Sequence, residues 1–257
     1  MASLPTYEQM LKTTPLTAEM TRLERQAART WPTESHWLTQ FGLRDGQRVL
    51  DLGCGTGAFT HRLHALCPAS PITGVDHNVA WLNKAQQQTP HAAIRWVEAT
   101  VTETGLPDES FDWVISRFVL RFLPDPMAAI REAMRLLVPG GKLVLIDADD
   151  DLAAIIDPPI RPQTGHGPPW RDQSMYRAGR HLIRWLRQAD CHNIQFQAIA
   201  SHSDLLGLDA FSVTAWGDSA SQSWQHDFVQ NPDALILLMH FLACGEKSSG
   251  NSPIPKK

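Results

Sequence analysis

Hydrophobic and polar positions along this chain change period several times, and each change marks an element. In residues 1–40, Leu16, Met20, Leu23, Ala27 and Trp31 recur at three- and four-residue spacings. That pattern predicts an amphipathic N-terminal helix, with Thr17 as a plausible cap. From Arg48 onward, short β-rich runs alternate with helical stretches. "RVLDL", "ITGVD", "AIRWVEA", "FDWVISR" and "KLVLID" read as five strands, and residues 58–66, 79–88 and 127–137 as helices. Such alternation predicts an α/β domain, a parallel sheet with covering helices. "RVLDL" and "KLVLID" are almost continuously apolar, as central strands buried on both faces are.

After Asp147 the pattern loosens. "DADDDLAAIIDPPIRPQTGHGPPW" is rich in proline and glycine and predicts a long irregular connection, a lid-like insertion after the fifth strand. The four acids of that region, Asp147, Asp149, Asp150 and Asp151, read as a solvated run with no bound metal. A helix over residues 174–189, a strand over 194–200, a polar loop and a last helix over 233–244 are expected to complete the fold. The polar tail is expected to be disordered. The resulting division is a helical cover (1–40), one domain (41–245) and a tail (246–257).

Composition narrows the function classes. The chain has 257 residues, 43% apolar and 19% charged, as ordinary globular proteins do. Neither a membrane span nor a signal peptide is evident, so the expectation is a cytoplasmic protein without a membrane partner. A formal net charge of -4 leaves no cationic excess to neutralise phosphates, which argues against nucleic acid. The four cysteines include no CxxC pair, so reduced thiols are expected and zinc is not. A homodimer is left open.

The stretch "RVLDLGCGTGAFT" carries the chemistry. A strand ending at Asp51 is followed by Gly53, Gly55 and Gly57 and then by a helix, an arrangement that brings bare backbone up to a ligand. Gly53, Gly55 and Ala58 also satisfy a dinucleotide fingerprint, a weak signal by itself. Asp51 at the turn would repel a pyrophosphate but accept bonds from an ammonium group. Asp76, at the tip of the second strand, is placed to accept bonds from two ribose hydroxyls.

With these residues in view, the chain resembles the class I S-adenosylmethionine-dependent methyltransferases, particularly the small-molecule subgroup that shares "VLDLGCGTG". The resemblance covers residues 45–150 in four ordered blocks: "DLGCGTG", the "GVD" acid, "LPDESFDWVISRFVLRFLPDP" and "AIREAMRLLVPGGKLVLID". It implies a doubly wound, mostly parallel Rossmann-like sheet and S-adenosyl-L-methionine as cofactor. It implies further that Gly53, Cys54, Gly55, Thr56 and Gly57 lie beside the methionine part, Asp51 serves the amino group, Asp76 holds the ribose and His77 borders the adenine. Where the family usually has an aspartate for the adenine amino group, this chain has Ala99, Thr100 and Val101, so the Thr100 hydroxyl or backbone groups stand in. Ser116, Arg117 and Phe118 correspond to the segment that runs under the methionine and faces the substrate. Arg22, with Gln26 on the same helix face, either reaches the cofactor carboxylate or belongs to a solvated charged face.

The implied activity is methyl transfer to a small molecule, a specialised metabolite for example, by in-line displacement, in which positioning supplies most of the acceleration. Cofactor-assisted cyclisation or rearrangement, binding without catalysis, and a nicotinamide-dependent oxidoreductase are the alternatives. A hydroxyl or protonated amine acceptor needs a base, for which His166 and His202 are candidates. His61 and His64, three apart without a further ligand, read as a surface pair. Arg121 reads as a partner of Asp125 and Glu132, and Arg117 is left open. Trp31 and Trp170, with Tyr7 and Tyr176, are the candidate aromatic walls of a substrate pocket, with packing as the competing use.

Overall fold

The computed structural model describes residues 16–88, 94–149, 155–157, 174–202, 231 and 233–249. Eight strands form one sheet: β1 (Val49–Leu52), β2 (Ile72–Asp76), β3 (Ile94–Glu98), β4 (Phe111–Arg117), β5 (Leu137–Ala148), β6 (Ile155–Asp157), β7 (His192–His202) and β8 (Leu235–Glu246). Their order is β3-β2-β1-β4-β5-β8-β6, with β7 also paired to β8. The first five strands are parallel, and β8 runs against β5, β6 and β7. The helices are α1 (Leu16–Gln40), α2 (Ala58–Leu66), α3 (Val79–Gln88), α4 (Pro126–Leu136) and α5 (Leu182–Gln188). Asp125 starts α4 by accepting a bond from the Met127 amide at 3.0 Å, with Pro126 preset in the first turn.

Alternate residues of each central strand enter opposite cores. Val49, Trp113, Ile115, Val144 and Leu242 meet Leu38 and Phe41 of α1 and Phe59 and Leu63 of α2. Leu50, Val114, Leu143, Leu145 and Ala243 meet Ile130 of α4 and Leu182 and Leu186 of α5. The sheet is thus covered on both sides, and its strand order reverses at β1, between β2 and β4. In open α/β sheets a ligand crevice lies outside the carboxyl ends of the strands at such a switch point.

Four expectations need correction. Residues 235–246 form strand β8, not a helix, because "LILLMHFLACGE" runs as an extended segment between β5 and β7. The N-terminal helix continues to Gln40 through Pro32, and Thr17 lies within it rather than capping it. Asp147 and Asp149 are not solvated. Both are fully buried: Asp147 Oδ1 accepts from Arg121 Nε at 2.7 Å, and Asp149 is gripped by Arg180 through Nε and, at 2.7 Å, Nη2. Arg121 therefore pairs with Asp147, while Asp125 and Glu132 take Arg131 and Arg135. No helix among the described residues is long and apolar enough to cross a membrane.

Candidate functional site

The turn after β1 is built from three glycines in the left-handed region, Gly53, Gly55 and Gly57, with φ of 89°, 54° and 76°. At Gly53 a side chain would also collide with Val119, and at Gly57 a Cβ would stand 2.7 Å from Trp96. The same holds for Gly74 of β2, whose Cβ would sit 2.6 Å from the Trp96 ring. Much of the bareness of this region lets protein pack on protein.

The amides of the turn are engaged internally. Gly53 and Cys54 donate to the Val75 carbonyl at 2.8 and 2.9 Å, Gly57 donates to the Cys54 carbonyl, and Gly55 donates to Asp76 Oδ2 at 2.8 Å. These four groups are not available to cradle a phosphate, which separates the turn from a pyrophosphate-binding loop. Asp76 also accepts from the Asn78 amide at 2.9 Å, is only 6% exposed, and has the His77 ring nitrogen 3.5 Å away. Two carboxylates, Asp51 and Asp76, therefore border the turn on adjacent strands.

Asp51 lies deeper than the sequence suggests: it is 1% exposed and accepts a 2.6 Å bond from Thr60 on α2. Burial drives its pKa up to about 7 against the opposing pull of the Thr60 bond and the Arg117 charge. Cys54 is buried beside both acids, and burial raises its thiol well above the usual range, so it is an inert thiol rather than a nucleophile. The Ser116 hydroxyl, at the end of β4, is buried without a hydrogen-bond partner among the described residues. An orphaned donor at a crevice edge suits a polar ligand.

Arg117 is held from above by α1. Its Nε lies 3.1 and 3.0 Å from the two Glu34 oxygens, its Nη2 donates to Thr30 at 2.8 Å, and its guanidinium covers the Phe59 and Phe118 rings. Glu34 is completely buried and meets His240 Nε2 of β8 at 3.5 Å. Burial pushes the Glu34 carboxyl upward, but Arg117 and then His240 outweigh it and hold the group below its ordinary value. Phe118 follows in the left-handed region at φ 55°, a conformation uncommon for an aromatic residue and frequent at functional sites.

The other predicted residues distribute as follows. Arg22 is clasped by Glu19 through two 2.7 Å bonds on the same helix. Thr100 is exposed, its hydroxyl 3.3 Å from that of Thr102, whereas Val101 is 8% exposed in the core. Trp31 packs edge-on against Phe59 with centroids 5.6 Å apart, a packing role. His61, half-buried, contacts the Ala85 carbonyl at 3.2 Å and the edge of Trp96. His202 ends β7, which is separated from β4 by β5 and β8. Tyr176 falls in a short 3-10 segment, Ser174–His181. Tyr7, His166 and Trp170 lie outside the described residues. Sequence reasoning missed Glu34, Thr60 and His240, and it named Asp147 and Asp149 only as a solvated run. Two acids two residues apart at the end of a strand were a usable signal for Asp147 and Asp149.

Comparison with known proteins agrees with this geometry. Residues 50–145, from β1 to β5, match a family described as a methyltransferase domain. A demethylmenaquinone methyltransferase of Staphylococcus aureus is 34% identical over 112 residues, and the match spans 43% of this chain and 46% of that relative. The chain thus spans about half the length of the curated relatives it matches. The fold is similar to that of phosphoethanolamine N-methyltransferase 2 from Haemonchus contortus, in complex with S-adenosyl-L-methionine, with a TM-score of 0.58 and 18% identity over 85% of this chain and 53% of the other. A Mesorhizobium loti S-adenosylmethionine-dependent methyltransferase has a TM-score of 0.54 at 21% identity over 87% of this chain and all of the other. The methyltransferase-domain match thus lies over the first five strands of a doubly wound, mostly parallel sheet, and the fold as a whole is that of S-adenosylmethionine-dependent methyltransferases.

Proposed function

We propose that this protein transfers the methyl group of S-adenosylmethionine to a small molecule, in the crevice outside the carboxyl ends of β1, β2 and β4. The carrying observation is the Asp76 carboxylate. It accepts one amide bond on each oxygen, from Gly55 and Asn78. A carboxylate offers about four lone-pair sites, so capacity for the two hydroxyls of a ribose is left. The bare turn from Gly53 to Gly57, with Cys54 and Thr56, then lies along the methionine part. Asp51 provides a carboxyl behind it whose ionised form an ammonium group would favour, and the Ser116 hydroxyl provides a free donor. His77, Thr100 and Val101 border the adenine in this reading, and Arg22 is the candidate for the carboxylate.

When bound, the cofactor supplies an electrophilic methyl group on a sulfonium. The chain's residues have to hold the acceptor in line with it and keep competing water out, and such positioning supplies most of the rate. The segment from Ser116 to Phe118 forms the floor between cofactor and acceptor. Demethylmenaquinone, named for the Staphylococcus aureus relative, is the first acceptor to test.

Tryptophan fluorescence decides the cofactor. Saturable quenching by S-adenosylhomocysteine with none by reduced nicotinamide dinucleotide is expected, and the reverse preference contradicts the reading. Labelled methyl appearing in the acceptor separates transfer from cofactor-assisted cyclisation.

A further inference from the structure

Of the two histidines named from the sequence, His166 is outside the described residues and His202 ends a strand separated from β4 by two others. A third histidine, hidden in what reads as a helix, is better placed. His240 lies at the start of the β8 segment that pairs with β5, in register with Ala148 at the carboxyl end of β5. It is 5% exposed, and its ring lies 5.9 Å from that of Phe118, the residue that ends the candidate floor. Its Nε2 lies 3.5 Å from Glu34 Oε1, an ion contact without a hydrogen bond among the described residues, and Glu34 is itself fixed by Arg117.

Tightened to hydrogen-bond distance, this is the arrangement of an oriented base: an imidazole beside a buried carboxylate that is itself immobilised by a third group. Glu34 favours the ring form that carries hydrogen on Nε2, which leaves the Nδ1 lone pair as the proton acceptor. From β5 and β7 the residues in register with His240 are Ala148 and Ile199, which do not titrate. Among the described residues an ion contact joins His240 to Glu34 of α1; Arg117 of β4 pairs with Glu34, and Arg29 of α1 and Asp51 of β1 interact electrostatically with both Glu34 and Arg117.

We propose that His240, positioned by Glu34, takes the proton from an acceptor hydroxyl during methyl transfer. This rests on the function proposed above. As the acceptor oxygen forms its bond to the methyl carbon, the carbon–sulfur bond breaks with its electron pair going to sulfur. The hydroxyl proton passes to Nδ1 of His240 and from there to solvent. The acceptor is accordingly a molecule whose hydroxyl is largely un-ionised at neutral pH, such as a phenol, a reduced quinone or an alcohol.

Two measurements on the full chain test this, and a third separates it from the cofactor reading. Calorimetric titration with S-adenosylhomocysteine tests the cofactor alone, and His240→Gln is expected to leave that affinity within about threefold. Nitrogen-15 NMR of labelled histidine in the unmutated protein with S-adenosylhomocysteine reads the ring directly. Hydrogen on Nε2 with a bare Nδ1 is expected, and hydrogen on Nδ1 alone overturns the assignment whether or not any variant folds. Methyl transfer to the hydroxyl oxygen of phenols, hydroquinones and alcohols is then compared in wild type and His240→Gln. A fall in kcat of about 100-fold or more, with loss of the acid limb of the pH profile and little change in KM, is expected. A fall of less than about tenfold overturns the proposal. So does a wild-type protein that binds S-adenosylhomocysteine yet methylates none of these hydroxyls, an outcome that leaves the cofactor reading standing.

Discussion

Replacing Glu34 should loosen the hold of the N-terminal helix on the sheet. Glu34 is 0% exposed and its partner Arg117 is 8% exposed, so solvent screens neither charge. Removing one member of a buried pair leaves the other uncompensated and costs about 3–5 kcal/mol. Here the guanidinium keeps the Thr30 bond and the faces of Phe59 and Phe118, which places Glu34→Leu near the lower end, about 3 kcal/mol. For a chain of this size that corresponds to a fall in Tm of roughly 6–12 °C. The double variant Glu34→Leu/Arg117→Met has no stranded charge, and apolar replacement of a whole buried pair is often neutral, so it should recover most of the loss. Urea unfolding followed by tryptophan fluorescence measures wild type, Glu34→Leu, Arg117→Met and the double variant, and a coupling energy of about 3 kcal/mol or more is expected. If Glu34→Leu costs less than about 1 kcal/mol, or if the two single effects simply add, the pair does not hold α1 and the reasoning fails.

Other outcomes follow from the same geometry. Because Asp51 stays protonated in the folded chain up to about pH 7 and only to about 3.8 when unfolded, the folded state binds the extra proton and stability should fall as pH rises from about 4 to 7. Asp51→Asn removes that loss, so its advantage over wild type in urea should grow through this window to at most about 4 kcal/mol, at about 1.4 kcal/mol per pH step, and an advantage that is flat with pH contradicts the burial argument. Glu34 has the opposite sign: its contribution is complete above about pH 4.5 and is lost as pH falls through its lowered folded value, so Glu34→Gln should converge with wild type in acid. Gly53→Ala meets both a left-handed φ and the stiff Val119 side chain, and calorimetric melting should show a loss of about 2 kcal/mol or more.

Much of the fold was legible because its signals are local. β1 to β5 and α2 to α4 fall within a residue or two of the expected runs, apart from β5, which begins back at Leu137, ahead of the "KLVLID" run. The period change from strand to helix and the capping Asp125 are properties of neighbouring residues. β8 was misread because Leu, Met and Ala favour helices and the run has no alternation; a strand covered on both faces needs none. That error also hid His240. Glu34 was invisible for a different reason: an acid on a polar helix reads as solvated unless its partner is known, and Arg117 is 83 residues away. Of the candidate site, the glycine turn and the two strand-tip acids are local motifs. The charge line from Arg117 through Glu34 to His240 exists only in three dimensions.

The most direct test of the central claim is calorimetric titration of the full chain with S-adenosylhomocysteine, comparing wild type with Asp76→Asn, which keeps the shape of the side chain and removes its charge. Losing charge-assisted bonds to a ribose costs about 1.5–3 kcal/mol, so the prediction is one site in the wild type and an affinity lowered about tenfold to hundredfold in the variant. Equal affinities, or no binding to the wild type, would contradict the assignment of this crevice.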